Sequence, residues 1–111
     1  MELEFSESTL SEKGVLLNIV GRLNATSTQK LKTHLKQLVD GNKVELILDM
    51  SAVSFIDSSG LAALVSGLKH AREHGGWLKL AAVNQQVASI FKMTLLDRVF
   101  ELYPTVEEAK K

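Results

Sequence analysis

The sequence contains no cysteine, which removes disulfides and thiolate metal sites and fits a reducing compartment. Aromatics are scarce at 5%, and there is one proline. Neither sign of charge is in excess. Thirteen basic side chains stand against thirteen acidic ones, so no overall field favours nucleic acid or an anionic membrane. The longest apolar run, residues 61–65, falls far short of the ~20 residues that span a bilayer. The N-terminal stretch MELEFSE carries acid where a signal peptide needs base, and no apolar h-region follows. What is present is ordinary for a globular chain: 45% hydrophobic and 23% charged residues in a length of 111. That length holds one domain whose core buries roughly 65% of the unfolded surface. The expectation is a single soluble, intracellular domain over residues 1–111.

The segments follow one another through short connections, without repeats or low-complexity tracts. Residues 3–8 alternate weakly and predict an edge strand, and the aliphatic run of residues 15–20 predicts a buried one. The polar connector between them is short enough for a hairpin, so the pair is expected to be antiparallel. The period then changes. Thr26 and Gln29 have capping-box spacing, and Leu31, Leu35, Leu38 and Val39 fall on one helical face. Asp40-Gly41-Asn42 ends that helix, with Gly41 suited to a left-handed position. Residues 44–50 (VELILDM) predict a strand with Val44, Leu46, Leu48 and Met50 on one side, and Ile47 on the other suggests a central place in the sheet. Leu61, Leu64, Val65 and Leu68 predict an amphipathic helix that stops at Gly75-Gly76. A strand over residues 77–83, a short helix around Val87, Ile90 and Phe91, a strand over 99–102 and a helical fragment over 105–111 complete the pattern. Strands alternating with helices imply right-handed crossovers and a parallel core. The expected fold is α/β: a mixed central sheet of about five strands, opening on an antiparallel hairpin, with about four helices mainly on one face.

The stretch VSFIDSSGLAALV (residues 53–65) is the least ordinary in the chain, because two adjacent serines stand between an aspartate and a glycine. It bridges a strand ending near Met50 and a helix beginning near Ser59. Ser58 is thereby placed at the carboxyl end of a central strand, the edge at which open α/β sheets build their sites. The first turn of the helix offers unpaired N–H groups and the positive end of the dipole. Asp57 or Ser58 can cap it, and Gly60 lets another backbone or a ligand come close. Capping alone accounts for these residue types; a nucleophile, a ligand site and a modification site are the other roles such hydroxyls fill.

A serine nucleophile needs a base within hydrogen-bond reach. His34 lies midway along the first helix, and His70 and His74 lie well down the second, where a residue ~12 positions along is ~18 Å away. The paired glycines of a nucleophile elbow are absent as well. The segment His70-Ala-Arg-Glu-His74 matches the pattern H-x-x-E-H, but a catalytic zinc needs a third protein ligand, and the sequence points to none. The two histidines are read as a solvated helix end, where cationic imidazole suits the dipole, and no metal is expected. No phosphate-binding glycine loop occurs. Lys30, Lys32, Lys36 and Lys43 lack interleaved aromatics, so no nucleic-acid partner is expected.

Taken together, Gly21-Arg22-Leu23-Asn24, Ile47-Leu-Asp-Met50, Val53-Ser-Phe-Ile-Asp-Ser-Ser-Gly-Leu61, Gly75-Gly76, and Val87 with Phe91 resemble the STAS domain, in particular the stand-alone bacterial anti-sigma factor antagonists. The similarity runs from about residue 3 to residue 108. The resemblance implies that Ser58 accepts a phosphate, with Ser59 a secondary hydroxyl and Asp57 its neighbour. The implied partners are a serine kinase that doubles as an anti-sigma factor, and a metal-dependent serine phosphatase. The unphosphorylated form would bind the kinase and release its client, phosphorylation would separate them, and the phosphatase would restore binding. The implied contact surface is Gly21, Arg22, Asn24, Asp57, Ser58, Ser59, Gly60 and Leu61. Such a chain performs no catalysis, needs no cofactor, touches no membrane, and is a monomer or weak dimer in the cytoplasm. Members of the family commonly carry aspartate where this chain has Asn24, whose amide closes a turn but supplies no charge. Two other readings stand beside this one: a STAS subunit of a transporter or stress-signalling scaffold without a phospho-switch, and a small enzyme or nucleotide-binding protein.

Overall fold

The computed structural model describes residues 3–111; Met1 and Glu2, the start of the acidic N-terminal stretch, lie outside the described residues. Among those residues the chain runs β1 (Leu3–Thr9), β2 (Gly14–Leu23), α1 (Thr28–Asp40), β3 (Glu45–Ile56), α2 (Ser58–Glu73), β4 (Trp77–Ala81), α3 (Gln85–Met93), a 3₁₀ turn (Leu96–Arg98), β5 (Glu101–Tyr103) and α4 (Val106–Ala109). The strands lie in the sheet in sequence order. β1 and β2 are antiparallel, whereas β2–β3, β3–β4 and β4–β5 are parallel. The hairpin and the parallel core both match the expected α/β fold.

Two periodicities explain the layers. Leu17, Leu48 and Leu80 are in register on three adjacent strands, and each is fully buried. They face α1 through Leu31, Leu35 and Val39, α2 through Leu61, Leu64 and Leu68, and α3 through Val87 and Phe91. Fully burying one such side chain stabilises by roughly 1.5–3 kcal/mol, so this face carries the fold. Ile47 points to the opposite face as expected, where it joins Ala81 and Ala109 beneath Trp77, Tyr103 and Val106. Three helices therefore cover one face and α4 covers part of the other. Lys79 helps hold α4 there: its Nζ donates to the Ala109 carbonyl at 3.0 Å and lies over the Trp77 and Tyr103 rings.

Several boundaries differ from the sequence reading. β3 continues past Met50 to Ile56, paired along its second half with β2 alone. α1 starts at Thr28 with Ser27 in the cap position, and the Thr26/Gln29 capping box does not form. At the end of α1 Gly41 has φ −85°, and Asn42 takes the left-handed conformation at φ 68°. β4 stops at Ala81 because Ala82 turns left-handed. The Gly75-Gly76 stop after α2 holds, and its second glycine is sterically required. A Cβ on Gly76 would stand 1.9 Å from the Val44 carbonyl oxygen.

Candidate functional site at the start of α2

The site is made where β2 and β3 end side by side. Parallel pairing carries Arg22 opposite Phe55 and Leu23 opposite Ile56, after register shifts at Asn18/Val20 and Gly21/Arg22. Such irregularities bend a strand and re-aim its side chains. Gly21 absorbs the bend at φ 125°, a conformation with little cost only for glycine. Beyond it the exposed Arg22 lays its guanidinium over the Phe55 ring, 4.4 Å from the centroid.

The loop that follows is tied by its own hydroxyls and amide. Asn24 Oδ1 accepts from the Thr26 amide at 3.0 Å and from the Thr26 hydroxyl at 2.8 Å. The buried Ser27 hydroxyl donates to the Arg22 carbonyl at 2.6 Å and accepts from the Asn24 amide at 3.1 Å. Asn24 thus closes the turn, as its amide suggested. Ser27 was missed by the sequence reading; the capping-box spacing drew attention to its neighbour Thr26 instead.

The α2 side of the site meets this loop directly. The Asp57 amide donates to the Leu23 carbonyl at 3.1 Å. Asp57 is the N-cap: its Oδ1 accepts from the Ser59 amide at 2.9 Å, the Gly60 amide at 3.1 Å and the Ser59 hydroxyl at 2.5 Å. The Ser59 hydroxyl, followed by the Gly60, Ser59 and Ala25 amides, holds the Asp57 carboxyl below its usual range against the opposing effect of desolvation. Asp57 is therefore ionised at neutral pH.

Ser58 occupies the first helical position and is exposed. Its hydroxyl makes no hydrogen bond to another described residue. Ser59 is half-buried with its hydroxyl committed to Asp57. The two serines are thus unequal, one available and one serving the cap. Gly60 and Leu61 are buried, with Leu61 only 8% exposed. The close approach at Gly60 is by the protein itself, since an added Cβ would meet the Leu23 carbonyl oxygen at 2.8 Å. Neither residue is exposed as Arg22 and Ser58 are, and Asn24 and Asp57 are half-buried.

No histidine reaches this group. His34 lies with Nε2 against the Glu7 carboxyl and stacks on Phe5 with 5.0 Å between centroids, while His70 hydrogen-bonds Asp40. Three of the four lysines of α1 and its exit are engaged locally as well. Lys30 donates to the Leu3 carbonyl, Lys36 to Asp40 and Lys43 to the Glu12 carbonyl. Lys30 and Lys43 tie α1 and its exit to the opening hairpin, whereas Lys36 pairs within α1.

Replacing Asp57 with alanine is expected to lower the melting temperature by a few degrees at pH 7, because two amides of the first turn lose their acceptor. A depressed carboxyl contributes stability at pH values above the unfolded-state pKa, near 3.8, and loses it as pH falls through the lower folded-state value. The difference between wild type and Asp57→Ala should therefore be constant from pH 7 to about pH 5 and shrink below about pH 4. Thermal melts across that range read it directly; a gap that widens in acid contradicts the assigned cap.

Residues 2–109 match the family model of the STAS domain. A Thermotoga maritima protein named as a candidate anti-sigma factor antagonist is 38% identical over 68 residues, which are 61% of this chain and 58% of that protein. The chain thus spans less than two thirds of that relative's length. The anti-sigma-B factor antagonist of Bacillus subtilis is 27% identical over 92 residues, covering 83% of this chain and 84% of that protein. The crystal structure of a candidate anti-sigma factor antagonist from Thermotoga maritima superposes with a TM-score of 0.87 at 27% identity, covering 95% of this chain and 90% of the other.

Proposed function

The chain belongs to the STAS domain family, and from that membership and the surroundings of Ser58 we propose that it is an anti-sigma factor antagonist governed by phosphorylation. Its unphosphorylated form binds a serine switch kinase that acts as an anti-sigma factor and frees the client. Phosphorylation at Ser58 ends the complex, and a metal-dependent serine phosphatase restores it. Residues 1–111 act as one domain, a cytoplasmic binding module and kinase substrate that performs no catalysis and needs no cofactor. It works as a monomer or weak dimer.

One observation carries this reading: of the two adjacent serines, Ser58 is exposed with its hydroxyl uncommitted among the described residues, whereas Ser59 is bonded to Asp57. A kinase needs a hydroxyl it can reach and deprotonate, and only the first meets that need. The relatives named as anti-sigma factor antagonists support the choice of partner class. Among the described residues no helix is long and apolar enough to cross a membrane.

Affinity capture from native cell extract, followed by phosphosite mapping of the bait, tests the proposal. The expected result is a serine kinase of the switch type on the unphosphorylated bait, and a single phosphate on Ser58 in the released fraction. Capture of a membrane transport subunit with Ser58 unmodified would instead favour the transporter-associated reading.

A further inference from the structure

The segment His70-Ala-Arg-Glu-His74 lacks a third metal ligand in sequence, and the fold supplies one from another helix. Asp40, the last residue of α1, lies against His70 and His74 at the end of α2, and one donor atom from each lies within 4.8 Å of the other two. We propose that Asp40, His70 and His74 form a binding site for a divalent first-row transition cation, zinc foremost, which clamps the ends of α1 and α2 together.

Several features support the assignment. Two imidazoles and one carboxylate are the donor set of zinc sites that keep a further position for water. Zinc held at about 2.0–2.1 Å sets tetrahedral ligand atoms about 3.3 Å apart, so closing the site asks for shifts of no more than about 1.5 Å by side chains of which two are exposed. The tautomer of His74 is also suitable. His74 Nδ1 lies 2.9 Å from the His70 carbonyl oxygen, and a carbonyl only accepts, so Nδ1 carries the proton and the neutral ring presents a lone pair at Nε2. His70 Nε2 donates to Asp40 Oδ1 at 3.0 Å, so a cation bound there requires the other neutral tautomer, with the ring proton on Nδ1 and the lone pair on Nε2.

Charged groups stand behind the ligands, one bonded to Asp40 and one near His70. Lys36 Nζ holds Asp40 Oδ2 at 2.8 Å, leaving Oδ1 toward the histidines, and Glu73 Oε1 lies 4.0 Å from His70 Nδ1. Carboxylates behind metal-bound imidazoles are common devices for fixing the ring. Asp40 also breaks a local rule, since an acid in the last turn of a helix opposes the dipole. Its contacts across to α2 explain its presence there. The site lies about 12 residues along α2 from Ser58, ~18 Å away, so it is distinct from the phosphorylation face and does not rest on that reading.

Calorimetric titration of the full, untagged chain with zinc sulfate tests the proposal, alongside thermal melts with and without zinc. The expected result is one zinc per chain, a melting temperature raised by the metal and restored by chelator, and at least tenfold weaker binding in both Asp40→Asn and His74→Gln. His34→Gln, at a histidine outside the cluster, should bind as wild type does. Each variant's melt is read against its own metal-free form, which separates lost binding from lost stability. Absence of heat above buffer at millimolar zinc, or an Asp40→Asn protein that binds as tightly as wild type, would overturn the site.

Discussion

Substituting aspartate for Ser58 is expected to weaken binding to the cognate switch kinase by about 100-fold, an effect of a few kcal/mol on the interface. Ser58→Ala should bind as tightly as unphosphorylated wild type and stay bound in the presence of ATP. The argument is electrostatic. Phosphate brings about −1.5 to −2 charge to a position next to an Asp57 carboxylate that is already ionised. The Ser59 and Gly60 amides are both taken by Asp57 Oδ1, so those two donors are not free to neutralise an arriving phosphate. That refines the expectation of free helix N–H groups at this point: the dipole remains, but the two amides are committed. The added charge is left to face whatever docks. A partner must then desolvate two adjacent anions, which costs affinity without requiring a change of fold. Circular dichroism should accordingly show the same helical content before and after modification. Equal affinity of the alanine and aspartate variants for the kinase would sink the switch, and a melted α2 would sink its mechanism.

The sequence was most informative where one local rule decided the outcome. The aliphatic run of β2, the alternation around Ile47 and the i, i+3, i+4 spacing of α2 each reflect burial on one face, and the structure follows them. Errors arose where partners distant in sequence took over. β3 outlasts its own pattern because β2 continues beside it to Leu23, pairing Val20 with Ala52 and Arg22 with Phe55. The second half of β3 buries Val53 and Ile56, three apart rather than two, and no period-two reading accommodates that. The cap of α1 was misplaced through a nearer contact: the Ser27 hydroxyl serves the Arg22 carbonyl on β2 in place of its own helix. At the site, the strand-to-helix junction and the cap were legible from Asp57-Ser-Ser-Gly60. The inequality of the two serines came only from the family resemblance, since its physical basis is which hydroxyl rotates toward Asp57. Asp40 lay beyond sequence reasoning altogether, 30 positions from His70 and joined to it only by the packing of α1 on α2.

Gly60→Ala should be strongly destabilising even though it replaces glycine with a better helix former. In an open helix the exchange would gain about 1 kcal/mol. Here the new methyl would lie 2.7 Å from Ile56 Cγ1, 2.8 Å from the Leu23 carbonyl oxygen and 2.9 Å from Leu23 Cβ. A side-chain carbon of Ile56 can rotate aside, but the two Leu23 atoms belong to or adjoin the backbone of a central strand, and their carbonyl is held by the Asp57 amide. Relief therefore requires the first turn of α2 to move off the end of β2. Overpacking of this kind costs typically 1–3 kcal/mol and occasionally more, and the two contacts with little freedom place it at the upper end, leaving a net loss of about 2 kcal/mol after the propensity gain. Gly75→Ala offers the contrast. Gly75 has φ 84° and nothing within 4 Å of an added Cβ, so its cost is that of the left-handed backbone alone, about 1 kcal/mol. Urea denaturation of the two variants distinguishes steric from conformational glycine. The functional consequence should separate them further. Moving α2 carries Asp57 and Ser58 away from Arg22 and Asn24, so Gly60→Ala should lose affinity for the kinase with its Ser58 hydroxyl intact, while Gly75→Ala, at the far end of the helix, should not. If Gly60→Ala unfolds at the wild-type urea concentration and binds normally, α2 is not seated on Leu23 as described, and the surface around Ser58 does not depend on that contact.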